Sequence, residues 1–283
     1  MNEPRQPRNL PRAKKHFGQN FLTDTHVLSR IVKSSGIDKN TCVVEIGPGT
    51  GALTEYLLAS AKHVLAYEID KDLIPFLKER FAKETNFTLK QQDILKVQID
   101  QDLATVFPDN MDIVVVSNLP YYITTPILMR FLETTHRVKR MVFMVQYEVG
   151  KRFTSKPNTK DYNALSIAIQ YRANAKLLFK VPRTVFVPVP NVDSAVVELD
   201  ILEHPLYPVD NETFFFEFIK NLFGQRRKTV VNNLVSTYPT FSKDQIMEAL
   251  LEEGLDPQVR AEAIDLEKTI SFANRIHGLL KQE

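Results

Sequence analysis

Three groups of polar residues, each placed where an apolar run ends, carry the chemistry this chain could perform. The first is Glu45-Ile46-Gly47-Pro48-Gly49-Thr50-Gly51, at the end of the β-branched run Thr41–Ile46. Glycines at the carboxyl end of a strand let a ligand press against bare backbone, and a helix starting beyond them offers free N–H groups. A phosphate-binding loop needs Lys and then Ser or Thr after its last glycine; here Gly51 is followed by Ala52-Leu53, which excludes it. A dinucleotide fingerprint wants Gly-x-Gly-x-x-Gly, and Gly-x-Gly-x-Gly with an acid upstream fits it poorly. The second group is Glu68, which ends the next apolar run and can accept hydrogen bonds from both hydroxyls of a ribose. NAD carries the same ribose, so Glu68 alone does not discriminate. The third is Asp93, in Gln91-Gln92-Asp93-Ile94-Leu95, where a carboxylate can take the amino hydrogen of an adenine. Taken singly, each acid reads as a helix cap or a surface residue. At successive strand ends they point together to a nucleoside.

The glycine loop closely resembles the Glu-x-Gly-x-Gly-x-Gly loop of class I methyltransferases, whose pattern also places an acid at the Asp93 turn. Asn118-Leu119-Pro120-Tyr121 is similar to the Asn-Leu-Pro-Tyr form of the amino-methyltransferase motif used by ribosomal RNA adenine dimethyltransferases. An adenine amine is not basic, because its lone pair is delocalised into the ring. The Asn118 side-chain oxygen and the Leu119 carbonyl can hold its two N–H hydrogens and aim the lone pair at a methyl carbon. Pro120 fixes the turn, and Tyr121 can stack on a base that has left its helix or loop. Phe186-Val187-Pro188-Val189-Pro190-Asn191-Val192-Asp193-Ser194 resembles that family's Phe-x-Pro-x-Pro-x-Val-x-Ser segment. The resemblance implies that Phe186 sandwiches the target base opposite Tyr121; core packing is the ordinary alternative for any Phe. Gln19-Asn20-Phe21-Leu22 resembles the family's N-terminal segment, in which Asn20 and the Leu22 backbone would close over the cofactor. The implied cofactor is S-adenosylmethionine, held by Asn20, Leu22, Glu45, Gly47, Gly49, Gly51, Glu68, Asp93 and Asn118. No metal is required. One departure stands out: Tyr122 replaces the usual Asn after the catalytic motif.

The elements that must position these groups alternate in type. Strands are expected at Thr41–Ile46, His63–Ile69, Phe87–Gln91, Asp112–Ser117, Met141–Val145, Lys176–Val181 and Ser194–Leu202. Helices are expected at Asp24–Ser35, Ala52–Ala61, Lys71–Lys83, Thr125–Thr134 and Asn163–Gln170, with a polar loop over Lys151–Asp161. This is an α/β, Rossmann-like class I methyltransferase sheet with helices on both faces and an antiparallel edge. After Glu203-His204-Pro205-Leu206-Tyr207-Pro208 no strand is expected. Phe214–Leu234, Lys243–Glu253 and Asp265–Leu280 read as helices of a small all-α domain. The expected organisation is a basic arm (1–19), a methyltransferase domain (20–204) and a helical RNA-docking domain (205–283).

The chain has 283 residues, 43% hydrophobic and 25% charged, enough for a sizeable core. No apolar run reaches the ~20 residues that span a bilayer, and Met1–Lys15 has no apolar core of a secretory signal. A lone Cys42 in an apolar run fits a reducing, cytoplasmic setting. The overall charge of +2 conceals +4 within residues 1–15. Arg12, Lys14 and Lys15 of this arm, with Lys220, Arg226, Arg227 and Lys228, are candidate phosphate contacts, the last four on one helix face. A disordered arm and a solvated face are the plain alternatives. Phe223-Gly224-Gln225-Arg226-Arg227-Lys228-Thr229-Val230-Val231-Asn232-Asn233-Leu234 and Arg260-Ala261-Glu262 are similar to the kasugamycin-sensitivity branch of the family. That likeness implies dimethylation of two adjacent adenosines near the 3′ end of 16S rRNA in the assembling 30S subunit, by a monomer. The macrolide-resistance branch, acting on 23S rRNA, and a non-catalytic assembly or transcription factor of the same fold are the alternatives.

Overall fold

The computed structural model describes Pro11, Lys14 and residues 19–281. Among these, one sheet has seven strands: β2 (Thr41–Ile46), β3 (His63–Glu68), β4 (Phe87–Gln91), β5 (Asp112–Asn118), β6 (Val138–Gln146), β7 (Ala173–Val181) and β9 (Ser194–Ile201). Their spatial order is β4-β3-β2-β5-β6-β9-β7. The pairs β2–β3, β3–β4, β2–β5 and β5–β6 are parallel. The order therefore reverses at β2, with one run continuing to β3 and the other to β5. Ligands of open α/β sheets bind in the crevice such a reversal opens at the carboxyl ends of the strands. β2 has every residue buried, as its Val-rich sequence requires of a central parallel strand.

A second, two-stranded antiparallel sheet joins β1 (Phe21–Leu22) to β8 (Phe186–Val187), pairing Phe21 with Val187 and Leu22 with Phe186. Helix α1 (Thr25–Ser35) follows β1. The Asp24 carboxylate caps it by accepting from the Val27 N–H, Gly36 ends it at φ 65°, and Leu28, Ile31, Val32 and Ser35 form its buried stripe. Helices α2 (Ala52–Ser60), α3 (Leu73–Arg80), α4 (Ile99–Val106) and α5 (Thr124–Thr134) connect the parallel strands. α3 starts later than the spacing predicts because the Asp70 carboxylate accepts the Asp72 N–H, locking Asp70–Asp72 into a turn. α4 is not anticipated from the sequence, and α6 (Tyr147–Phe153) occupies the start of the expected polar loop.

The chain divides into two compact units. The first holds the residues up to Ile127, with Thr135–Tyr147 and Leu178–Glu198. The second holds Leu128–Thr134, Glu148–Leu177 and Leu199–Glu283. In the second unit α7 (Ala164–Arg172) and α8 (Glu212–Leu222) meet through the Tyr171 ring against Phe215 and Phe216. α11 (Leu266–Leu280) meets α8 through Phe272 on Phe218 and His277 stacked on Phe214. The segment Phe214–Leu234, expected as one helix, is two: α8 stops at Leu222 and α9 (Val230–Thr237) begins after Thr229. The break is built in. The Thr229 hydroxyl caps α9 by accepting from Asn232, and the buried Asn233 amide donates to the Leu222 and Gln225 carbonyls across the turn. α10 (Lys243–Glu252) carries a capping box between Ser242 and Gln245.

Candidate active site

A cleft open to solvent lies where the strands of the first unit end. Its wall includes Asn20, Leu22, Glu45, Gly47, Gly49, Glu68, Asp93 and the Asn118–Tyr121 motif. Residues separated by nearly a hundred positions thus share one surface. Gly51, also expected there, is not on the wall. At φ 80° it starts α2, and a Cβ would lie 2.6 Å from the Phe81 ring, so helix packing is what demands glycine. Gly49 faces the cleft at φ 60°, with room for a Cβ restricted by Phe21 at 3.1 Å.

The acids sit in distinct surroundings. Glu68 is 4% exposed; its Oε1 accepts the Asp70 N–H at 2.8 Å and its Oε2 the Gly49 N–H at 3.2 Å. Burial pushes this carboxyl up against the pull of those N–H donors. Asp93 Oδ1 accepts the Leu95 N–H at 3.0 Å, capping a short 3-10 turn. Glu45 is 1% exposed. Its Oε2 and the Thr54 hydroxyl are buried without a hydrogen-bond partner among the described residues, and burial lifts the Glu45 carboxyl to about 8. A buried acceptor left unmatched costs stability unless a ligand's donor completes it.

The Asn118–Tyr121 segment is held from three sides. β5 pairs with β6 up to Asn118 and Met144, and the Leu119 N–H donates to the Met144 carbonyl at 3.1 Å. The Asn118 Nδ2 donates to the Asn20 carbonyl at 3.4 Å, which commits the donor end of the amide and leaves Oδ1 as an acceptor. The Pro120 carbonyl accepts from the Ile123 N–H and the Thr124 hydroxyl, tightening the turn. The Tyr121 hydroxyl lies 2.6 Å from Ser194 Oγ, fixing the ring in its plane. Burial raises the Tyr121 hydroxyl above its usual range, so it stays protonated near neutrality. Tyr122, 54% exposed on the wall, offers its ring to solvent.

Several expected residues stand elsewhere. Phe186 is 1% exposed among the core side chains around Leu22, Val181 and Val196, because its pairing with Leu22 places it in the core cluster. It is not part of the cleft wall. Lys14 is not a loose cation; its ammonium lies 2.5 Å from Asp70 Oδ1 and 2.6 Å from Asp72 Oδ2. Lys220 pairs with Glu133 at 2.6 Å, and Arg226 donates to the Lys160 carbonyl and to Glu262. The expected single basic helix face does not form, since Lys220 lies in the last turn of α8 while Arg226, Arg227 and Lys228 occupy the turn after the helix. Arg227 and Lys228 are exposed there, without ion pairs among the described residues. Arg12 and Lys15 lie outside the described residues.

Ser117 and Asp70 escape sequence reading, and Ser194, read only as the end of the Phe186 segment, gains its bond to Tyr121 from the fold. Ser117 Oγ accepts the Ile46 N–H at 2.6 Å beneath the glycine loop. The only hint of Asp70 is its place two residues beyond Glu68.

The cleft offers buried carboxylates, glycine backbone and an unmatched acceptor, and this set fits a ligand that carries a cation, a ribose and an adenine. Sheet order and site together define a class I S-adenosylmethionine-dependent methyltransferase. Comparison with known proteins narrows the class. The chain belongs to the ribosomal RNA adenine dimethylase family, whose pattern it matches over residues 11–277. It is 46% identical over 272 residues to ribosomal RNA small subunit methyltransferase A of Anoxybacillus flavithermus, covering 95% of this chain and 92% of that one. It is 47% identical over 265 residues to the protein of the same name from Bacillus mycoides, covering 93% and 91%. Among solved structures it is similar to a dimethyladenosine transferase from Plasmodium falciparum, with a TM-score of 0.71, 26% identity and coverage of 89% and 95%. It is also similar to the 23S rRNA methyltransferase ErmE, with a TM-score of 0.62, 25% identity and coverage of 91% and 100%. The protein is thus an S-adenosylmethionine-dependent rRNA adenine dimethyltransferase. No helix among the described residues is long and apolar enough to cross a membrane.

Proposed function

We propose that the enzyme dimethylates the exocyclic amines of two adjacent adenosines near the 3′ end of 16S rRNA, acting as a cytoplasmic monomer on the assembling 30S subunit. The observation that carries this reading is the Asn118 amide, tied by its nitrogen to the Asn20 carbonyl so that its oxygen is kept as an acceptor beside the Leu119 carbonyl. Bound in the cleft, S-adenosylmethionine supplies an electrophilic methyl group on its sulfonium. Glu68 receives the ribose hydroxyls, Asp93 the adenine amino group, and Glu45 a cationic donor. Asn118 Oδ1 and the Leu119 carbonyl hold the two N–H hydrogens of the target amine. That localises the nitrogen lone pair and lines it up with the methyl carbon, so catalysis is chiefly positioning. Each transfer would form an N–C bond as the S–C bond breaks, leaving S-adenosylhomocysteine, and the methylated nitrogen would shed one proton to water, so that one N–H remains after the first. Stacking on Tyr121 then contributes more to orientation in the second.

The relatives near 47% identity are named for the small subunit, and this supports that target over the large-subunit one, to which the similar 23S enzyme at 25% identity points. Intact Asn118, Glu68 and Asp93 speak against a non-catalytic factor. The helical region from residue 205 is assigned to RNA docking, with Arg227 and Lys228 as phosphate contacts. The test is mass mapping of methylated adenines in rRNA from cells with and without the protein. Two adjacent dimethyladenosines that vanish from 16S rRNA on deletion are expected. Their persistence, with loss of a 23S modification instead, would overturn the small-subunit assignment.

A further inference from the structure

One cation of the basic arm is paired with two acids just beyond Glu68 rather than left to solvent. The Lys14 ammonium contacts Asp70 Oδ1 and Asp72 Oδ2, and the Lys14 N–H donates to Gln19 Oε1 at 2.8 Å. Gln19 Nε2 in turn donates to Asp70 Oδ2 at 3.0 Å. Both carboxylate oxygens of Asp70, a residue only 2% exposed, are thus taken by the segment that precedes β1. The Asp70 N–H holds Glu68 Oε1, and Glu68 Oε2 accepts from Gly49 in the glycine loop. An unbroken set of hydrogen bonds runs from Lys14 to the carboxylate that meets the ribose. The same segment supplies the Asn20 carbonyl that orients Asn118.

The electrostatics require a cation at this place. Asp70 and Glu68 are buried carboxylates two residues apart, and like charges that close repel strongly away from water. Burial pushes the Asp70 carboxyl up, but the Lys14 ammonium and the Gln19 amide outweigh it and hold the group below its usual range. Charge-assisted bonds to a buried carboxylate are among the stronger polar interactions and fix direction as well as distance.

We propose that Lys14 is a positioning residue of the cofactor site, holding Asp70 and through it the Glu68 carboxylate in the geometry that receives the nucleoside. The proposal rests on the cleft being the S-adenosylmethionine site. It separates Lys14 from the rest of the arm, whose charges would serve RNA. Lys14→Met, Lys14→Arg and Lys71→Met test it, Lys71 being an exposed cation of the same turn. S-adenosylhomocysteine affinity is measured by calorimetry, methyl transfer by steady-state kinetics, and RNA affinity across salt concentrations. Lys14→Met should weaken S-adenosylhomocysteine about tenfold and raise the cofactor KM to match, the loss of about one charge-assisted hydrogen bond. Its kcat at saturating cofactor should fall less than about twofold. Lys14→Arg should recover most of the affinity, and Lys71→Met should behave as the wild type. An unchanged S-adenosylhomocysteine affinity in Lys14→Met overturns the proposal, as does an equal loss in Lys71→Met. So does a defect confined to RNA affinity and its salt slope. A wild-type protein that bound neither form of the cofactor would instead take down the reading of the cleft itself.

Discussion

The cofactor cleft and the basic turn of the second unit are both rich in charge, and they use it in opposite ways. On the cleft wall Glu45 and Glu68 are 1% and 4% exposed, Asp70 beside Glu68 is 2% exposed, and Glu68 and Asp70 have each oxygen assigned to a named donor. In the turn, Arg227 and Lys228 are exposed and have no ion-pair partner among the described residues. A buried charge is tolerated only when fixed partners hold it, and a held charge can select one arrangement of ligand donors. An exposed cation keeps its freedom and answers to the density of phosphates, whatever bases they carry. The first region is suited to one molecule with matching donors, and the second, under the proposed function, to a polyanion.

The contrast implies a ranking of effects. Phe186→Ala should be the most severe change to the fold, costing about 3–5 kcal/mol in urea unfolding because a fully buried ring is removed. Unaltered stability with abolished activity would mean that the ring leaves the core to meet the target base. Asn118→Ala should retain donor binding while kcat falls by about 10²–10³-fold, as for removal of one preorganised polar partner of the reacting group. Single-turnover kinetics decide this, and undiminished transfer would remove the acceptor mechanism. Asp93→Ala should weaken S-adenosylmethionine about tenfold by calorimetry, the worth of one hydrogen bond to a charged group; equal affinity would clear it of adenine contact.

Reversing Arg227 and Lys228 to Glu should leave cofactor affinity intact and flatten the salt dependence of RNA binding. The log–log slope should fall by about 0.7–0.9 for each phosphate that is no longer neutralised. Arg226→Glu should add less than either, because that guanidinium is already shared with Glu262 and the Lys160 carbonyl. A last effect is that of pH. With Glu45 at about 8 in the folded protein against 4.5 ordinarily, the folded state binds more protons between those values. Its contribution to stability is full below about 4.5 and is lost as pH rises towards 8. Unfolding of the ligand-free enzyme followed from pH 5 to 8 should therefore show a steeper decline than Glu45→Gln, and parallel curves would mean Glu45 is ionised throughout.

Much of the site was legible because its parts are local. Glu45–Gly51, Glu68, Asp93 and Asn118–Tyr121 each end a strand, and in a parallel sheet all strand ends of one polarity gather at one edge, so their convergence follows from alternation of elements alone. Phe186 was not legible in this way. Whether it faced the cleft or the core depended on the β1–β8 pairing, between segments too short for any hydrophobic period to register. The long helix expected over Phe214–Leu234 failed for a related reason. Its apolar spacing permits continuation, and only the Asn233 amide reaching back to Leu222 and Gln225 dictates the break.

Local order along the chain was thus enough to specify the sheet, the glycine loop, the Asn118–Tyr121 turn and the family, since each is written in contiguous residues whose physics is set by their neighbours. The destination of individual charges was left to tertiary packing. Lys14 reads as one more cation of a basic arm until the fold brings it against Asp70 and Asp72, more than fifty positions away. Pairing across such a distance depends on where the backbone goes, and a charge has no periodicity that reveals its partner.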